Sequence, residues 1–252
     1  MQYSRTFAYI FLLCLCVAAS AGQGPNVPHV EPKIGAASLD KVENTPPPGF
    51  IALFNGNDLT NWKGLLDPRN KLDNPAVRAK LSAEDRAKAQ AEADDNMRKH
   101  WSIENGILVF DGKGRNLCTE KLYGDFELWV DWKIEPGGDS GIYLRGSPQV
   151  QIWDPANKPA GGIGSGGLYN NQKHDHDPDV FADRPVGQWN RFHITMVGER
   201  VTVELNGNRV VNDVVLENYW DRSKPIFPSE SIELQNHSSR LEFKNIYVRE
   251  IK

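Results

Sequence analysis

The sequence predicts an all-β protein, an antiparallel β-sandwich of jelly-roll type interrupted by one short helical insertion. Three observations predict it. Phe126, Leu128, Val130, Trp132 and Ile134 alternate with Glu127, Trp129, Asp131 and Lys133, the period of two that a half-buried strand requires. About ten such short strands follow one another with turn signals between them, among them an Asn206-Gly207 pair of the kind that closes hairpins. A single Ala/Glu/Lys/Arg-rich stretch of high helix propensity stands apart from the pattern. Strands in series, without a helix between each pair, build antiparallel sheets that bury a core by facing each other.

In chain order, Met1 to Arg5 carries a positive charge, Thr6 to Ala19 is apolar, and Ala19-Ser20-Ala21 offers a small-residue cleavage site. Residues 1–21 therefore read as a signal peptide, and the mature protein as exported, periplasmic or extracellular. The apolar run falls short of the roughly 20 residues of a membrane span, and no later stretch approaches that length, so no spanning segment is expected. Residues 22–49 hold six prolines, end in Pro46-Pro47-Pro48-Gly49, and read as an extended Pro-rich linker. The domain proper is expected over 50–252. It opens with a short strand, Phe50 to Phe54, and a turn at Asn55-Gly56-Asn57-Asp58 before Leu59 to Trp62.

The insertion occupies about 67–100. Ser82 and Asp85 form a capping box, and the helix that follows to Lys99 has a thin apolar face of Leu81, Ala89, Ala93 and Met97. It reads as a surface insertion, with a lid over a binding face as the alternative, and no chemistry is assigned to it. Strands resume at Trp101 to Ile103, Ile107 to Asp111, Phe126 to Ile134, Gly141 to Arg145 and Val150 to Trp153. They continue at Phe192 to Val197, Val201 to Leu205, Arg209 to Val211, Ser231 to His237 and Leu241 to Ile251.

Composition excludes some functions. Without Arg5, 28 basic residues face 33 acidic ones, a formal charge of −5, and no Lys/Arg cluster offers itself to a phosphate backbone; nucleic acid is not an expected partner. Of three cysteines only Cys118 lies beyond residue 21, so no intrachain disulfide forms in the mature chain. Seven tryptophans fall between Trp62 and Trp220; indole rings serve either as core or as platforms for sugar rings.

Strand parity sorts side chains by face. With Ile142 and Leu144 inside, Tyr143 and Arg145 face away. With Val150 and Ile152 inside, Gln151 and Trp153 are outside, and Ile232 and Leu234 place Glu233, Gln235 and His237 off the core with Trp129 and Asp131. Aromatic rings mixed with Arg, Gln, Asp and His compose either a sugar-binding sheet surface or a solvent-facing one. Glu127, Asp131 and Glu135 share a face but stand four residues apart, about 13 Å. That is too far for the paired carboxylates of ordinary glycosidases, which need roughly 5–9.5 Å. Gly162 to Gly167 matches G-x-G-x-x-G without a βαβ context and reads as a flexible loop at the rim of the site. The His174-Asp175-His176-Asp177 tract with Asp179 reads as a metal site or as a solvated loop.

The segments FIALFNGNDLTNW, YGDFELWVDWKIEPGGDSGIYLRG with QVQIWD, VGQWNRFHI with VTVELNG, and IELQNHSSRLEFKNIYVREI resemble the 3-keto-disaccharide hydrolase family, over nearly all of 50–252. The resemblance implies a concanavalin A-like jelly roll of the lectin and glucanase type. It also implies cleavage of a glycoside already oxidised at C3 by a separate glycoside 3-oxidoreductase. Abstraction of the acidified C2 proton then allows elimination or hydrolysis at C1, which needs a base and an enolate stabiliser. On this reading His237 is the base and Arg145 stabilises negative charge. Asp139, Gln151, Asp154 and Gln235 position hydroxyls or a divalent ion, and Trp153 and Tyr143 stack on the ring, with Trp129 a further sugar-facing candidate. The sequence departs from the family at Ser238-Ser239, where a glycine is expected after the histidine. A non-catalytic carbohydrate-binding module and a conventional glycosidase remain alternatives on the same fold.

Overall fold

The computed structural model describes residues 27–157 and 161–252; the export signal read over residues 1–21 lies outside the described residues. Two antiparallel sheets face each other, the predicted β-sandwich. The strands are β1 (Ile51–Ala52), β2 (Trp62–Gly64), β3 (Trp101–Glu104), β4 (Ile107–Phe110), β5 (Leu117–Thr119), β6 (Phe126–Ile134) and β7 (Asp139–Leu144). They continue with β8 (Ser147–Trp153), β9 (Asn190–Val197), β10 (Arg200–Leu205), β11 (Asn208–Val215), β12 (Glu233–Leu234) and β13 (Leu241–Glu250). The larger sheet runs β11-β10-β9-β6-β13-β4-β3, with β1 also paired to β13, and the smaller runs β2-β5-β12-β7-β8.

The alternation in β6 does what its period requires. Phe126, Leu128, Val130 and Trp132 are buried in one core with Leu117, Ile142, Leu144, Val150, Ile152 and Leu234 of the smaller sheet. Asn206 (φ 53°) and Gly207 (φ 80°) close the β10–β11 hairpin in the positive-φ pair that a two-residue turn needs. The short strands β2 and β5 were not expected from the sequence; three residues carry too little periodicity to show.

Residues 27–49 are not the free, extended linker expected of them. The ring of His29 stacks on Phe181 at 4.2 Å, and Val30 N–H donates to the Phe181 carbonyl. Lys33 and Ile34 N–H both donate to the Asn206 carbonyl, and Leu39 is fully buried in a short helix, α1 (Ala36–Leu39). Asn44 and Asn245 exchange side-chain-to-backbone hydrogen bonds at 2.9 and 3.0 Å. The prolines stiffen this strap while its polar groups find partners on the larger sheet.

The insertion holds a 3-10 turn (Pro68–Asn70), α2 (Pro75–Arg78) and α3 (Ala83–His100). Ser82 caps α3 as predicted, its hydroxyl accepting from Asp85 N–H at 3.0 Å. Of its apolar residues Ala93 and Met97 are buried. The helix covers the edge of the smaller sheet, where Gly64 of β2 would otherwise leave its backbone unpaired. Asp94 accepts from Gly64 N–H at 3.0 Å, and the Gln90 amide donates to its carbonyl at 3.0 Å. A Cβ on Gly64 would lie 2.2 Å from the Ala93 carbonyl oxygen, so only glycine allows this approach.

The glycine-rich segment is likewise not a flexible loop, since Ile163 to Leu168 are buried beside β8. Gly166 N–H donates to the Gln151 carbonyl and Gln151 N–H to that of Gly167, which extends the sheet past β8. A Cβ on Gly166, whose φ is +100°, would lie 2.6 Å from Val210.

Candidate active site

Parity within the smaller sheet is borne out for β7, β8 and β12. Gly141 pairs with Gln151, Asp139 with Trp153 and Tyr143 with Glu233, all on the face turned away from the core. On that face lies a cleft of about 360 Å³ lined by Asp139, Tyr143, Gln149, Gln151, Trp153, Gln235 and His237 of the sheet and its loops. Tyr169, Asn170, Tyr219, Trp220 and Asp73, with Pro148 of β8, complete its walls. Six of the nine residues singled out from the sequence therefore come together.

Two hydrogen bonds and an ion-pair contact cross the cleft floor in line. The Gln149 amide donates to Gln151 Oε1 at 2.5 Å, the Gln151 amide donates to Asp139 Oδ1 at 2.8 Å, and Asp139 Oδ2 stands 3.3 Å from His237 Nδ1. Gly141 lets these amides lie flat, because a Cβ there would meet Gln149 at 2.9 Å. A carboxylate facing Nδ1 favours the tautomer with its proton on that nitrogen, which leaves the Nε2 lone pair turned to the cleft. Partial burial pushes the Asp139 carboxyl up, against the pull of His237. The His237 side chain is 62% exposed, so its ring is reachable from the cleft.

Tyr143 stands on β7, four residues after Asp139. Burial first, then the charge of Glu233, pushes its phenol up, so at neutral pH it is an O–H donor. The Gln235 amide donates to Tyr143 Oη at 3.4 Å, which leaves the phenolic proton available to the cleft. Trp153 donates its indole N–H to the Gly164 carbonyl and meets Tyr169 edge-on at 5.3 Å. Tyr219 and Trp220 form a second edge-on pair at 4.9 Å.

Three residues expected in the site are elsewhere. Arg145 lies in the β7–β8 turn, not on the strand face: Arg145 (φ 47°) and Gly146 (φ 64°) form a two-residue hairpin turn. Its buried guanidinium donates to the Gly124 carbonyl at 2.7 Å and pairs with Asp125. Trp129 belongs to the larger sheet, on its outer face, against Phe50, His193 and Arg191. Parity gives a side chain's face within a sheet but not the sheet, and Asp131 shares this fate in a pair with Arg191. Asp154 caps a turn by accepting from Gly137 and Ala156 N–H, both at 2.8 Å, and does not line the cleft.

Asp73 was missed because it comes from the insertion, to which no chemistry was assigned. Among the described residues no group of three or more His, Cys, Asp or Glu side chains converges as a metal ion requires. The His174–Asp179 tract holds a local His176–Asp177 pair at 2.7 Å. A groove of about 530 Å³ beside it, at Lys173, Glu199 and Glu217, has no aromatic wall. Three consecutive backbone N–H groups, of Gln172, Lys173 and His174, bind Glu217 Oε1 there.

The fold and the cleft define a jelly-roll β-sandwich with an aromatic-walled, histidine-bearing site on its smaller sheet. More particularly, residues 49–249 match the 3-keto-alpha-glucoside-1,2-lyase-like domain, and the chain belongs to that family. A curated relative, the 3-keto-disaccharide hydrolase of Bacteroides thetaiotaomicron, is 22% identical over 220 residues, 73% of this chain. The match spans 66% of that relative's length, just under two thirds. Two crystal structures of provisionally named glycosyl hydrolases from Parabacteroides distasonis share the fold. One has TM-score 0.60 and 22% identity, covering 83% of this chain and 99% of the other; the second has 0.59 and 23%, covering 89% and 100%.

Proposed function

We propose that the chain cleaves glycosides carrying a ketone at C3, in particular 3-keto-disaccharides, by abstraction of the C2 proton. The observation that carries this reading is the Gln149–Gln151–Asp139–His237 line opening on a cleft of a sugar ring's size. Family membership and the name of the curated relative support the substrate class.

In the proposed reaction His237 Nε2 takes the C2 proton, and the released pair forms an enolate on the C3 oxygen. Tyr143 Oη–H donates to that oxygen, the role first assigned to Arg145, and as a neutral buried donor it favours the enolate over the ketone. Collapse of the enolate re-forms the C3 carbonyl, creates a C1–C2 double bond and breaks the bond from C1 to the departing oxygen. Water adding at C1, with a proton returned to C2 from His237, gives the free 3-keto sugar. Trp153 and Tyr169 offer an aromatic wall to the ring, and Gln235 and Gln151 offer amides to its hydroxyls. The C3 ketone has to be supplied by a separate oxidoreductase, and the reading of residues 1–21 places the reaction outside the cytoplasm.

The test is turnover of a 3-keto-glucoside by the purified protein and by His237→Ala. The variant is expected to lose at least about 100-fold in kcat, the usual contribution of a positioned base; full turnover by the variant removes His237 from the role. Retention of unmodified glycans with no product from any 3-keto-glycoside would instead favour a binding module.

A further inference from the structure

Two carboxyls line the cleft, and they are differently engaged. Asp139 is held by Gln151 and His237, whereas the Asp73 carboxyl has no side-chain hydrogen-bond partner among the described residues. Asp73 is held at the cleft because the stretch that follows it is pinned. Asn74 caps α2 by accepting from Ala76 N–H at 2.9 Å, and Pro75 is buried against Gly146, where a Cβ would lie 2.8 Å from its ring. Arg78, on the last turn of α2, donates to the Asp73 carbonyl at 3.0 Å and to Glu230 Oε2 at 3.0 Å. Asp73 thus shares the cleft with Tyr143 and His237.

Expulsion of an alkoxide from C1 is slow unless the departing oxygen is protonated, and neither His237 nor Tyr143 can supply that proton in the proposed scheme. His237 is taking a proton from C2 at that stage, and Tyr143 is donating to the enolate. We propose that Asp73 is the general acid of the cleavage, delivered by the helical insertion, and that it donates its proton to the oxygen leaving C1. The balance closes. The C1–O bond breaks as C1=C2 forms, the departing oxygen takes the Asp73 proton, and the Asp73 carboxylate then accepts a proton from the water that adds at C1. Burial, which pushes the Asp73 carboxyl up, favours the protonated form that the first step needs. The inference rests on the 3-keto-glycoside reading.

The test compares two 3-keto-glucosides, a methyl glycoside with a poor leaving group and a nitrophenyl glycoside with a good one. Asp73→Asn is expected to lose at least about 100-fold in kcat/KM on the methyl glycoside and less than about threefold on the nitrophenyl one. Equal losses on both, or no loss on either, overturn the assignment of Asp73 while leaving the substrate class standing. A wild-type protein that cleaves neither glycoside overturns the substrate class and Asp73 with it. Should Asp73→Asn fail to fold, Asp73→Glu decides: a loss confined to the methyl glycoside supports the assignment, and an equal loss on both overturns it.

Discussion

Glu233 should make the protein less stable as pH rises from about 4.5 to 7, and Glu233→Gln should abolish that slope. The carboxyl lies on β12, on the face it shares with Tyr143 and beside Arg78 of the insertion, with 1% of its surface exposed. Oε2 accepts from the Asn116 amide at 3.3 Å, Oε1 has no hydrogen-bond partner among the described residues, and Arg78 approaches no closer than 3.9 Å. Burial pushes its pKa from 4.5 to about 7, with Arg78 the largest opposing influence. Between those values the folded protein holds a proton that the unfolded chain has released, so stability falls with rising pH. Below 4.5 both states are protonated and the cost vanishes; above 7 it is complete. The shift is worth about 3 kcal/mol. Urea unfolding of wild type and Glu233→Gln at several pH values gives the difference in unfolding free energy, in which pH-independent effects of the substitution are a constant offset. That difference is expected to move by about 3 kcal/mol in favour of the variant from pH 4.5 to 7.5. A flat difference would show that Glu233 is not a buried, unpaired carboxyl, and a movement in the opposite direction that Arg78 binds it as a tight ion pair.

Two further outcomes follow from the same contacts. Trp129→Ala should leave kcat and KM on a 3-keto-glucoside unchanged while lowering unfolding free energy by about 2 kcal/mol, since its half-buried ring packs on the outer face of the larger sheet; a raised KM would return it to the site. Ser238 has φ 63°, a conformation that glycine adopts without cost, so Ser238→Gly should raise unfolding free energy by about 0.5–1 kcal/mol. An unchanged or lower melting temperature would contradict that. The position is the one where the family resemblance leads one to expect glycine.

Much of the site was legible because strand parity is a local property. Tyr143, Gln151 and Trp153 needed only the alternation around Ile142 and Val150 to be placed on one face; the strand read over Ser231 to His237 is only Glu233–Leu234, and Gln235 and His237 reach the cleft from the loop beyond it. The misplacements each have a physical cause beyond the reach of parity. Arg145 falls one residue past the end of β7, where the hairpin turn reverses the chain and redirects the side chain. Trp129 obeys its alternation but in the other sheet, a matter of which strands pair across long sequence separations. Asp73 has no periodic signal at all; what locates it is the Asn74-Pro75 helix start and the docking of α2 on Gly146, which only the folded chain displays. The strap over 27–49 was concealed by its composition, since prolines announce stiffness and say nothing of what a stiff segment lies against.

The position of β13 has a consequence for how the molecule comes into being. The last of the described strands in chain order is not at an edge: it sits between β6 and β4, pairs with β1, and supplies the Asn245 to which the strap at Asn44 is tied. Until about residue 250 emerges, β6 lacks a neighbour on one side, β4 lacks its link to the rest of the sheet, and the strap has nowhere to dock. The domain therefore cannot ripen in stages from its amino end; closure waits on the carboxyl-terminal strand and then proceeds on both flanks of it at once.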